Sequence, residues 1–178
     1  MLEGKRVNLQ IMDREDLSLV QEWVNDHEFM GEFEPILQET KASLEKQYDR
    51  LKDGQWFFIE TKDGPKIGYI CHFLVKGRLT ELGYALVPSE RGKGYGTEAV
   101  KIIVDYLFLS RNIMRIQVQT DEENKASQRI LEKSGFKKER IIRKSFFFKG
   151  EYRDQALYSI LRTEWNEPKI LTTTSSSS

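Results

Sequence analysis

The segment SERGKGYGTEAV (residues 89–100) places three glycines at alternate positions, among basic residues and before an apolar stretch. Its flexible and positively charged members are Arg91, Gly92, Lys93, Gly94 and Gly96. Glycine lets the backbone approach a ligand closely and adopt positive φ angles. Successive backbone N–H groups can then point toward one anion, and a helix that begins at the loop adds the positive end of its dipole. The segment therefore predicts a loop that binds a phosphate or diphosphate group.

Two other interpretations of this loop remain open. The glycines could form a turn that only redirects the chain. The loop could also belong to a known class of nucleotide-binding loop, but the pattern GxxxxGK[ST] is absent from it. The pattern GxGxxG also fails, because Thr97 stands where that pattern, counted from Gly92, requires its last glycine. A strand before the loop and a buried helix after it favour the anion site over the bare turn.

The elements that must position the loop follow from the spacing of apolar residues. The predicted order is β-α-α-β-β-β-α-β-α-β-β. Predicted strands cover residues 6–12, 55–64, 65–77, 79–88, 114–121, 136–150 and 151–165, and predicted helices cover residues 14–30, 41–54, 97–111 and 124–135. The loop joins a three-stranded antiparallel meander to a crossover helix, so the next strand should run parallel to the strand before the loop. We predict an α+β fold with a mixed, mostly antiparallel sheet flanked by helices.

The composition excludes several classes of protein. The 178 residues are 39% hydrophobic and 31% charged, which is typical of a soluble globular domain. The 28 basic and 28 acidic residues cancel, which argues against a nucleic-acid partner. No segment has the pattern of a leader or a membrane span, so we expect a cytoplasmic protein that does not contact a membrane. We predict one domain over residues 1–167 and a disordered tail over residues 168–178.

Cysteine and histidine usage predicts no metal site. Cys71 is the single cysteine, so an internal disulfide and a cysteine-rich zinc site are both excluded. His72 is its neighbour, and the two side chains of adjacent strand residues point to opposite faces of a sheet. No second histidine or cysteine lies at ligand spacing, so we expect this pair to belong to the core or the sheet surface.

The loop and two further segments of the sequence together resemble a known protein family. Arg91-x-x-Gly94-x-Gly96, after a strand and before a helix, is similar to the R/Q-x-x-G-x-G/A signature of the GNAT family of N-acetyltransferases. Asn124-x-x-Ser127, followed by RILEKSGF, resembles a segment of the subgroup that acetylates the N-termini of ribosomal proteins. The closing KGEYRDQALYSILRTEW is similar to the last hairpin of that subgroup, and the order of elements matches from residue 1 to about residue 165.

The resemblance implies a GNAT-type fold and acetyl-CoA as the co-substrate. In that fold the loop amides bind the pyrophosphate, and the two parallel strands diverge so that the pantetheine arm enters the gap like an added strand. Asn124 would contact this arm, and it would also serve as an ordinary helix N-cap. The implied cofactor-binding residues are Ala85, Leu86, Val87, Arg91, Gly92, Lys93, Gly94, Tyr95, Gly96, Thr97 and Asn124.

Acetyl transfer to an amine benefits from a base, because most of an alkylamine is protonated at neutral pH. Glu81 is the candidate base, since the resemblance implies a glutamate on the strand that leads to the loop; a solvent-facing strand residue is the alternative. Ser127 is the candidate acid for the departing thiolate, because the matching serine is implicated in the resembled subgroup. Other hydroxyl groups that could act belong to Tyr84, Tyr152 and Tyr158. We expect a backbone N–H at a bulge near residues 85–86 to bind the oxyanion.

The acceptor side of the site is predicted from charge. Residues 15–40 contain no Lys or Arg and eight acidic residues. An acidic rim would attract a cationic amine, whereas a solvated helix face is the alternative interpretation. The candidate substrate-binding residues are Glu28, Glu32 and Glu34.

These features predict an N-acetyltransferase that moves an acetyl group to a protein N-terminal amine or a small cationic amine. The transfer is direct, because no nucleophile–base pair is visible in the sequence. Polyamine or antibiotic acetylation is one alternative, and a non-catalytic sensor that binds acyl-CoA is another. The long terminal hairpin is consistent with a homodimer.

Overall fold

The structure is a computed structural model that describes residues 1–35, 37–51, 53–77 and 79–171. The strands within these residues are β1 (Leu2–Glu3), β2 (Val7–Ile11), β3 (Gln55–Thr61), β4 (Lys66–Lys76), β5 (Leu79–Leu86), β6 (Arg115–Asp121), β7 (Lys137–Phe148) and β8 (Glu151–Leu161). The α-helices are α1 (Leu17–Asn25), α2 (His27–Met30), α3 (Lys41–Asp49), α4 (Tyr95–Ser110) and α5 (Lys125–Lys133). None of these helices is long and apolar enough to cross a membrane.

The strands form one sheet in the order β1-β2-β3-β4-β5-β6-β8-β7. Every neighbouring pair is antiparallel except β5 and β6, which are parallel. The crossover helix α4 connects these two strands, as a parallel pair requires. The prediction of an α+β fold with a mixed, mostly antiparallel sheet is therefore confirmed.

The parallel pair is short. β5 and β6 pair only at Leu79–Arg115, Thr80–Ile116 and Glu81–Gln117. Beyond these positions β5 stays paired with β4 and β6 stays paired with β8, so the two strands diverge and leave a gap within the sheet. The predicted divergence of the parallel strands is confirmed.

Helix α4 forms the centre of the main hydrophobic core. Its buried side chains include Val100, Ile103 and Leu107, and they pack against apolar residues of the sheet and of α5. Burial on several sides explains why the helix is apolar on nearly every face. The core therefore fixes α4, and with it the loop that precedes α4.

The first predicted helix, over residues 14–30, is interrupted. Asp26 has an extended backbone (φ −89°, ψ 115°), and its carboxylate accepts a hydrogen bond from the Glu28 amide at 2.9 Å. Asp26 thus ends α1 and caps α2, which is a local preference of Asp that competes with a continuous helix. The break reorients the chain before Gly31, which has a φ of 81°. The prediction of one continuous helix is wrong at this point.

The folded domain extends past residue 167. Asp105 of α4 is fully buried, and its carboxylate accepts hydrogen bonds from the backbone amides of Lys169, Ile170 and Leu171 at 2.6–3.0 Å. The same carboxylate accepts a hydrogen bond from the Trp165 indole at 3.0 Å. Residues 168–171, which we assigned to the tail, therefore dock on α4. Residues 172–178, the rest of the predicted disordered tail, lie outside the described residues.

His72 of β4 lies in the core. Its side chain is 2% exposed, and its ring lies 6.3 Å from the rings of Phe57 and Tyr106. Its Nε2 atom has no hydrogen-bond partner among the described residues. Burial, with a smaller contribution from the charge of Arg111, lowers the pKa of His72 from 6.5 to about 4. His72 is therefore a neutral core residue, as is expected of a histidine without a metal-ligand neighbour.

Protonation of His72 should weaken the fold in mild acid. The unfolded chain takes up this proton near pH 6.5 and the folded chain only near pH 4. The contribution to stability is complete above pH 6.5 and is lost as pH falls toward 4, by up to about 3 kcal/mol. In urea denaturation, the free energy of unfolding should fall less between pH 7 and 4.5 for His72→Leu than for the wild type. Equal falls in both proteins would contradict this assignment.

Candidate active site

The glycine loop has the backbone geometry of an anion-binding site. Gly92 and Gly94 have positive φ angles of 75° and 87°, and Gly94 is the N-cap of α4. The first amides of a helix have no intrahelical acceptor, and the Gly94 side chain cannot supply one. Positive φ angles at alternate positions allow successive amides to point into one concavity, where the helix dipole adds positive potential. The loop therefore fits a diphosphate group.

Residues far away in sequence hold this loop in place. The side chain of Arg6 donates a hydrogen bond to the Lys93 carbonyl at 2.7 Å and stacks on the Tyr95 ring at 4.6 Å. The Arg6 amide donates to the Glu98 carboxylate at 2.8 Å. Arg6 was not predicted from the sequence, and no local pattern marks it.

Gly96 serves packing between helices. A Cβ atom at Gly96 would lie 3.0 Å from Cδ1 of Ile130 on α5. The absent side chain therefore lets α4 and α5 approach closely. Thr97, next along α4, accepts a hydrogen bond on its carbonyl from the Ser134 hydroxyl at 3.4 Å.

The two cations of the loop have different neighbours. The Lys93 ammonium lies 3.1 Å from the Glu90 carboxylate and is exposed. The Arg91 guanidinium donates to the Leu86 carbonyl at 3.0 Å and also to the carbonyl of Phe29 on α2. Arg91 thus contacts the chain on the acceptor side of the site.

Hydrogen bonds between β5 and the β4 side of the sheet show which main-chain groups of β5 face the gap on its other side. The Val87 amide donates to the Ile67 carbonyl at 2.9 Å, and the Val87 carbonyl accepts from Glu90 at 3.0 Å. Because the main-chain groups of a strand alternate between its two edges, those of Ala85 also face β4 and those of Tyr84 and Leu86 face the gap. Of the predicted residues Ala85, Leu86 and Val87, only Leu86 has an N–H that faces the gap. Tyr84, which was not predicted to bind the cofactor, also faces it.

The bulge predicted near residues 85–86 is not there. Ala85 and Leu86 stand in regular register opposite Tyr69 and Gly68. The close fit explains this regularity, since a Cβ atom at Gly68 would lie 2.1 Å from the Ala85 carbonyl oxygen. The irregularity in this pair of strands lies between Leu74 and Lys76. The described strand register therefore gives no bulge at residues 85–86 that could supply the expected oxyanion donor.

Asn124 and Ser127 lie at the start of α5, across the gap from β5. The Asn124 side chain accepts a hydrogen bond from the Ser127 amide at 3.0 Å, which makes Asn124 the N-cap. The Ser127 hydroxyl lies 2.9 Å from the Tyr84 hydroxyl. Burial raises the pKa of Tyr84 to about 12, so this phenol stays protonated at neutral pH. The two hydroxyl groups form one chain of hydrogen-bond donors.

The other candidate tyrosines are less suitable. The Tyr158 hydroxyl lies 3.0 Å from a Glu132 carboxylate oxygen and 3.3 Å from the Gln128 amide oxygen, so its single proton is already donated within the protein. Tyr152 is 59% exposed on the terminal hairpin. Only Tyr84 of the three contacts Ser127 in the described structure.

A cavity of about 270 Å³ lies beside the divergence of β5 and β6. Its lining residues are Phe33, Glu34, Glu81, Gln119, Thr120, Asp121, Phe146 and Gln155. Glu81 is the last residue of β5 that pairs with β6. Its carboxylate accepts a hydrogen bond from the Gln117 side-chain amide at 2.8 Å. The candidate base therefore lies where the cavity adjoins the gap.

The carboxyl groups of this cavity differ in their electrostatics. Glu34 is an exposed residue, but its carboxyl group lies against the cavity wall, where burial and the charge of Asp121 raise its pKa from 4.5 to about 7. Burial alone would raise the pKa of Asp121, but the hydrogen bonds from Arg153 and from the Glu123 amide outweigh it and hold that pKa below its ordinary value. Arg153 contacts Asp121 at 2.6 and 3.1 Å. Asp121 is thus largely neutralised, whereas no cation of the described residues is bonded to Glu34.

The three acidic residues that we predicted to bind the substrate differ in their position relative to the cavity. All three residues are exposed, but Glu34 lines the cavity, whereas Glu28 and Glu32 do not. The Glu32 carbonyl accepts a weak contact from the Lys149 ammonium at 3.5 Å, so the terminal hairpin closes over this turn. Of the three, only Glu34 contacts the space in which an amine would lie.

A larger groove of about 630 Å³ lies along β7, at the edge of the sheet. Arg140, Arg143 and Lys144 line it together with two isoleucines and Asp154. Its cations would repel an ammonium group, and no candidate catalytic residue lies in it. The smaller, acidic cavity is therefore the better candidate for the acceptor site. The homodimer suggested by this hairpin stays a prediction.

Comparison with known proteins identifies the family. The model of the Acetyltransferase (GNAT) domain matches residues 6–137, so the chain belongs to the GNAT family of acetyltransferases. It is an acetyl-CoA-dependent N-acetyltransferase. The sensor alternative loses support, because the matched family and relatives are enzymes.

The chain is 32% identical to the probable N-acetyltransferase YjcK of Bacillus subtilis, over 92% of this chain and 98% of that protein. It is 28% identical to the spermidine N(1)-acetyltransferase of Escherichia coli, over 93% and 91%. The alanine N-acetyltransferase of ribosomal protein uS5 from E. coli is 23% identical, over 87% of each chain. The crystal structure of a spermidine N-acetyltransferase from Vibrio cholerae, in complex with CoA and spermine, has the same fold (TM-score 0.81, 24% identity, 91% and 99% covered).

The loop geometry predicts a specific effect of a methyl group at Gly94. Gly94→Ala would strain a φ of 87° and place Cβ 3.1 Å from the Arg6 side chain. We expect the dissociation constant for CoA to rise about tenfold, because the amides that bind the pyrophosphate would move. Isothermal titration calorimetry measures this change.

Gly64→Ala is the matched control. Gly64 also has a positive φ, of 104°, and nothing lies within 4 Å of an added Cβ there. It should lose similar stability without weakening CoA binding. Equal weakening in both variants would contradict a pyrophosphate site at the loop.

Proposed function

We propose that this enzyme acetylates a primary amino group of a small polyamine such as spermidine. The observation that carries this proposal is the cavity beside the gap, which has Glu34 and Glu81 in its lining and the aromatic rings of Phe33 and Phe146 in its walls. Carboxylates attract ammonium groups, and aromatic faces bind cations and the alkyl segments between them. A molecule with several amino groups separated by methylenes fits both features.

The comparisons support the polyamine more than a protein N-terminus. From the sequence we named a protein N-terminal amine or a small cationic amine, with polyamine acetylation as an alternative. The spermidine enzyme is the more similar relative, at 28% identity against 23% for the ribosomal-protein enzyme. The assignment to the ribosomal-protein subgroup is therefore not supported beyond this distant likeness, and the polyamine becomes the main proposal.

The loop and the edge of β5 are proposed to hold acetyl-CoA. The amides from Gly92 to Thr97 would bind the pyrophosphate, the main chain of Tyr84 and Leu86 would bind the pantetheine arm, and the Asn124 amide group would contact that arm while its oxygen caps α5. Acetyl-CoA supplies an activated acetyl group as a thioester. The N–H groups of Tyr84 and Leu86 both face the gap, and the one that does not bind the arm is our proposed donor to the oxyanion.

Glu81 is the proposed base. Its position in the cavity wall next to the gap allows it to accept the proton of the attacking amine, directly or through water. The hydrogen bond from Gln117 orients its carboxylate. Glu34 reaches solvent and has a pKa near 7, so it is suited both to bind an ammonium group and to pass a proton outward.

Ser127 and Tyr84 are the proposed partners of the thiolate. A thiol has a reference pKa of about 8.5, so the departing sulfur needs only modest help. The Ser127 hydroxyl can donate a hydrogen bond to the sulfur while it accepts one from the protonated Tyr84 hydroxyl, 2.9 Å away. This pair explains how a serine, which is a weak acid alone, can assist the step.

A panel of amines tests the proposed acceptor. Free CoA released from acetyl-CoA is measured with spermidine, spermine, butylamine and a peptide that begins with alanine. We expect kcat/KM for the polyamines to exceed that for butylamine at least tenfold, because butylamine lacks a second ammonium group for the cavity to bind. Faster turnover of the peptide than of either polyamine would contradict the proposal.

Glu34 should control the pH dependence of acceptor binding. Below pH 7 its carboxyl group is mostly protonated and neutral, and above pH 7 it is mostly ionised. Glu34→Gln mimics the protonated form, so wild type and variant should have similar kcat/KM for spermidine at pH 6. At pH 8.5 the wild type should exceed the variant about threefold, because an ion pair with an exposed carboxylate is screened by solvent.

Glu28→Gln and Glu32→Gln are the controls, since both remove the same charge from a residue that does not line the cavity. They should raise KM slightly and only at low salt, because exposed charges act through a screened field. A ratio of wild type to Glu34→Gln that does not change with pH would show that Glu34 does not bind the amine.

A further inference from the structure

The Arg91 side chain joins three parts of the site. Its Nε atom donates to the Leu86 carbonyl at 3.0 Å, at the end of β5. Its Nη2 atom donates to the carbonyl of Phe29 and lies 3.4 Å from that of Glu28, both in α2. Arg91 itself begins the glycine loop. A single guanidinium group therefore connects the loop, the strand edge and the helix on the acceptor side.

The Arg91 guanidinium contacts carbonyl groups at the C-terminal end of α2, where a cation is stabilised. The last carbonyl groups of a helix have no intrahelical partner, and a cation is stabilised beside them. The residue that follows α2 is Gly31, and a Cβ atom there would lie 3.2 Å from Nη1 of Arg91. The guanidinium group thus packs directly against the turn after α2, which also has the positive φ of Gly31.

This turn leads into the acceptor cavity. Phe33 and Glu34, two and three residues after Gly31, both line the cavity. On the other side, Gly92 follows Arg91 directly and opens the row of loop amides. A short path of contacts therefore links the proposed pyrophosphate site to the cavity wall, and this path passes through the Arg91 side chain.

We propose that Arg91 is a positioning residue that couples the cofactor loop to the acceptor cavity, and not a ligand of the pyrophosphate through its side chain. When the loop amides bind CoA, the backbone of Arg91 is fixed. The rigid fork of its guanidinium group then fixes the turn at Gly31 and the two lining residues beyond it. This inference rests on the proposed function for the pyrophosphate site at the loop, the acceptor site in the cavity and the identity of the amine.

Coupling of this kind is reciprocal. If CoA tightens the binding of the amine by some factor, the amine must tighten the binding of CoA by the same factor. We expect a factor of about tenfold in the wild type, within the range usual for coupled sites. Lys93 belongs to the same loop, but its ammonium group pairs with Glu90, so it is the matched control for a loss of one positive charge.

Hydrogen exchange tests the coupling without any amine. Peptides that cover residues 26–35 are followed by mass spectrometry with and without CoA. CoA should slow exchange in this segment in the wild type and in Lys93→Gln, but not in Arg91→Gln. Protection of the segment by CoA that persists in Arg91→Gln would overturn the proposal.

Calorimetry measures the coupling factor itself, as the change in the CoA dissociation constant when spermidine is added. The factor should be about tenfold in the wild type and in Lys93→Gln, and close to one in Arg91→Gln. The KM for spermidine should rise about tenfold in Arg91→Gln, while its affinity for CoA alone should fall no more than in Lys93→Gln.

Arg91→Lys separates positioning from charge. A lysine keeps the positive charge that a phosphate contact requires, but a single ammonium group cannot hold two chain segments in the geometry of the fork. We expect Arg91→Lys to behave like Arg91→Gln in both measurements, and restored coupling in Arg91→Lys would overturn the proposal. If the wild type does not acetylate spermidine, the proposed function fails, and hydrogen exchange with CoA alone still decides the coupling.

Discussion

The divergence of two parallel strands is the constraint on which the rest of this structure depends. β5 and β6 share only three paired positions, and each then remains bonded to its other neighbour. A sheet that opens in this way exposes main-chain groups that cannot be satisfied within the sheet, at a place enclosed by helices α4 and α5. The gap therefore presents a ready strand edge to an extended ligand, and the loop, the hydroxyl pair and the acidic cavity are all arranged around its ends.

At the cofactor loop, neutral backbone amides are the expected ligands of the pyrophosphate. The proposed pyrophosphate ligands are backbone amides around Gly92 and Gly94, whereas the two cations of the loop contact Glu90 and the main chain of α2 and β5. On the acceptor side the balance is reversed. There, Asp121 is neutralised by Arg153, and Glu34 is left with a raised pKa. The proposed site thus combines backbone amides for an anion with a side-chain cavity for a cation, and Glu81 lies where that cavity adjoins the strand gap.

Much of the fold was predictable from sequence, because periodicity reports which face of an element is buried. The meander, the buried crossover helix and the parallel pair were predicted and are confirmed. Three details were not. The split of the first helix depends on a local hydrogen bond of Asp26, the docking of residues 168–171 depends on the buried Asp105, and the regular register at Ala85 depends on the space beside Gly68. Each is decided by a contact with one particular atom, which a periodic pattern does not contain.

The sequence by itself determined the class of chemistry. Alternating glycines before an apolar helix can form an anion cradle whatever surrounds them, because the property belongs to the local backbone. Only the tertiary structure decided which side chains share a space. Tyr84 and Ser127 are 43 positions apart, Glu34 and Glu81 belong to different elements, and Arg91 contacts α2 from 62 positions away. Such pairings arise from the packing of the whole sheet and its helices, and no spacing along the chain records them.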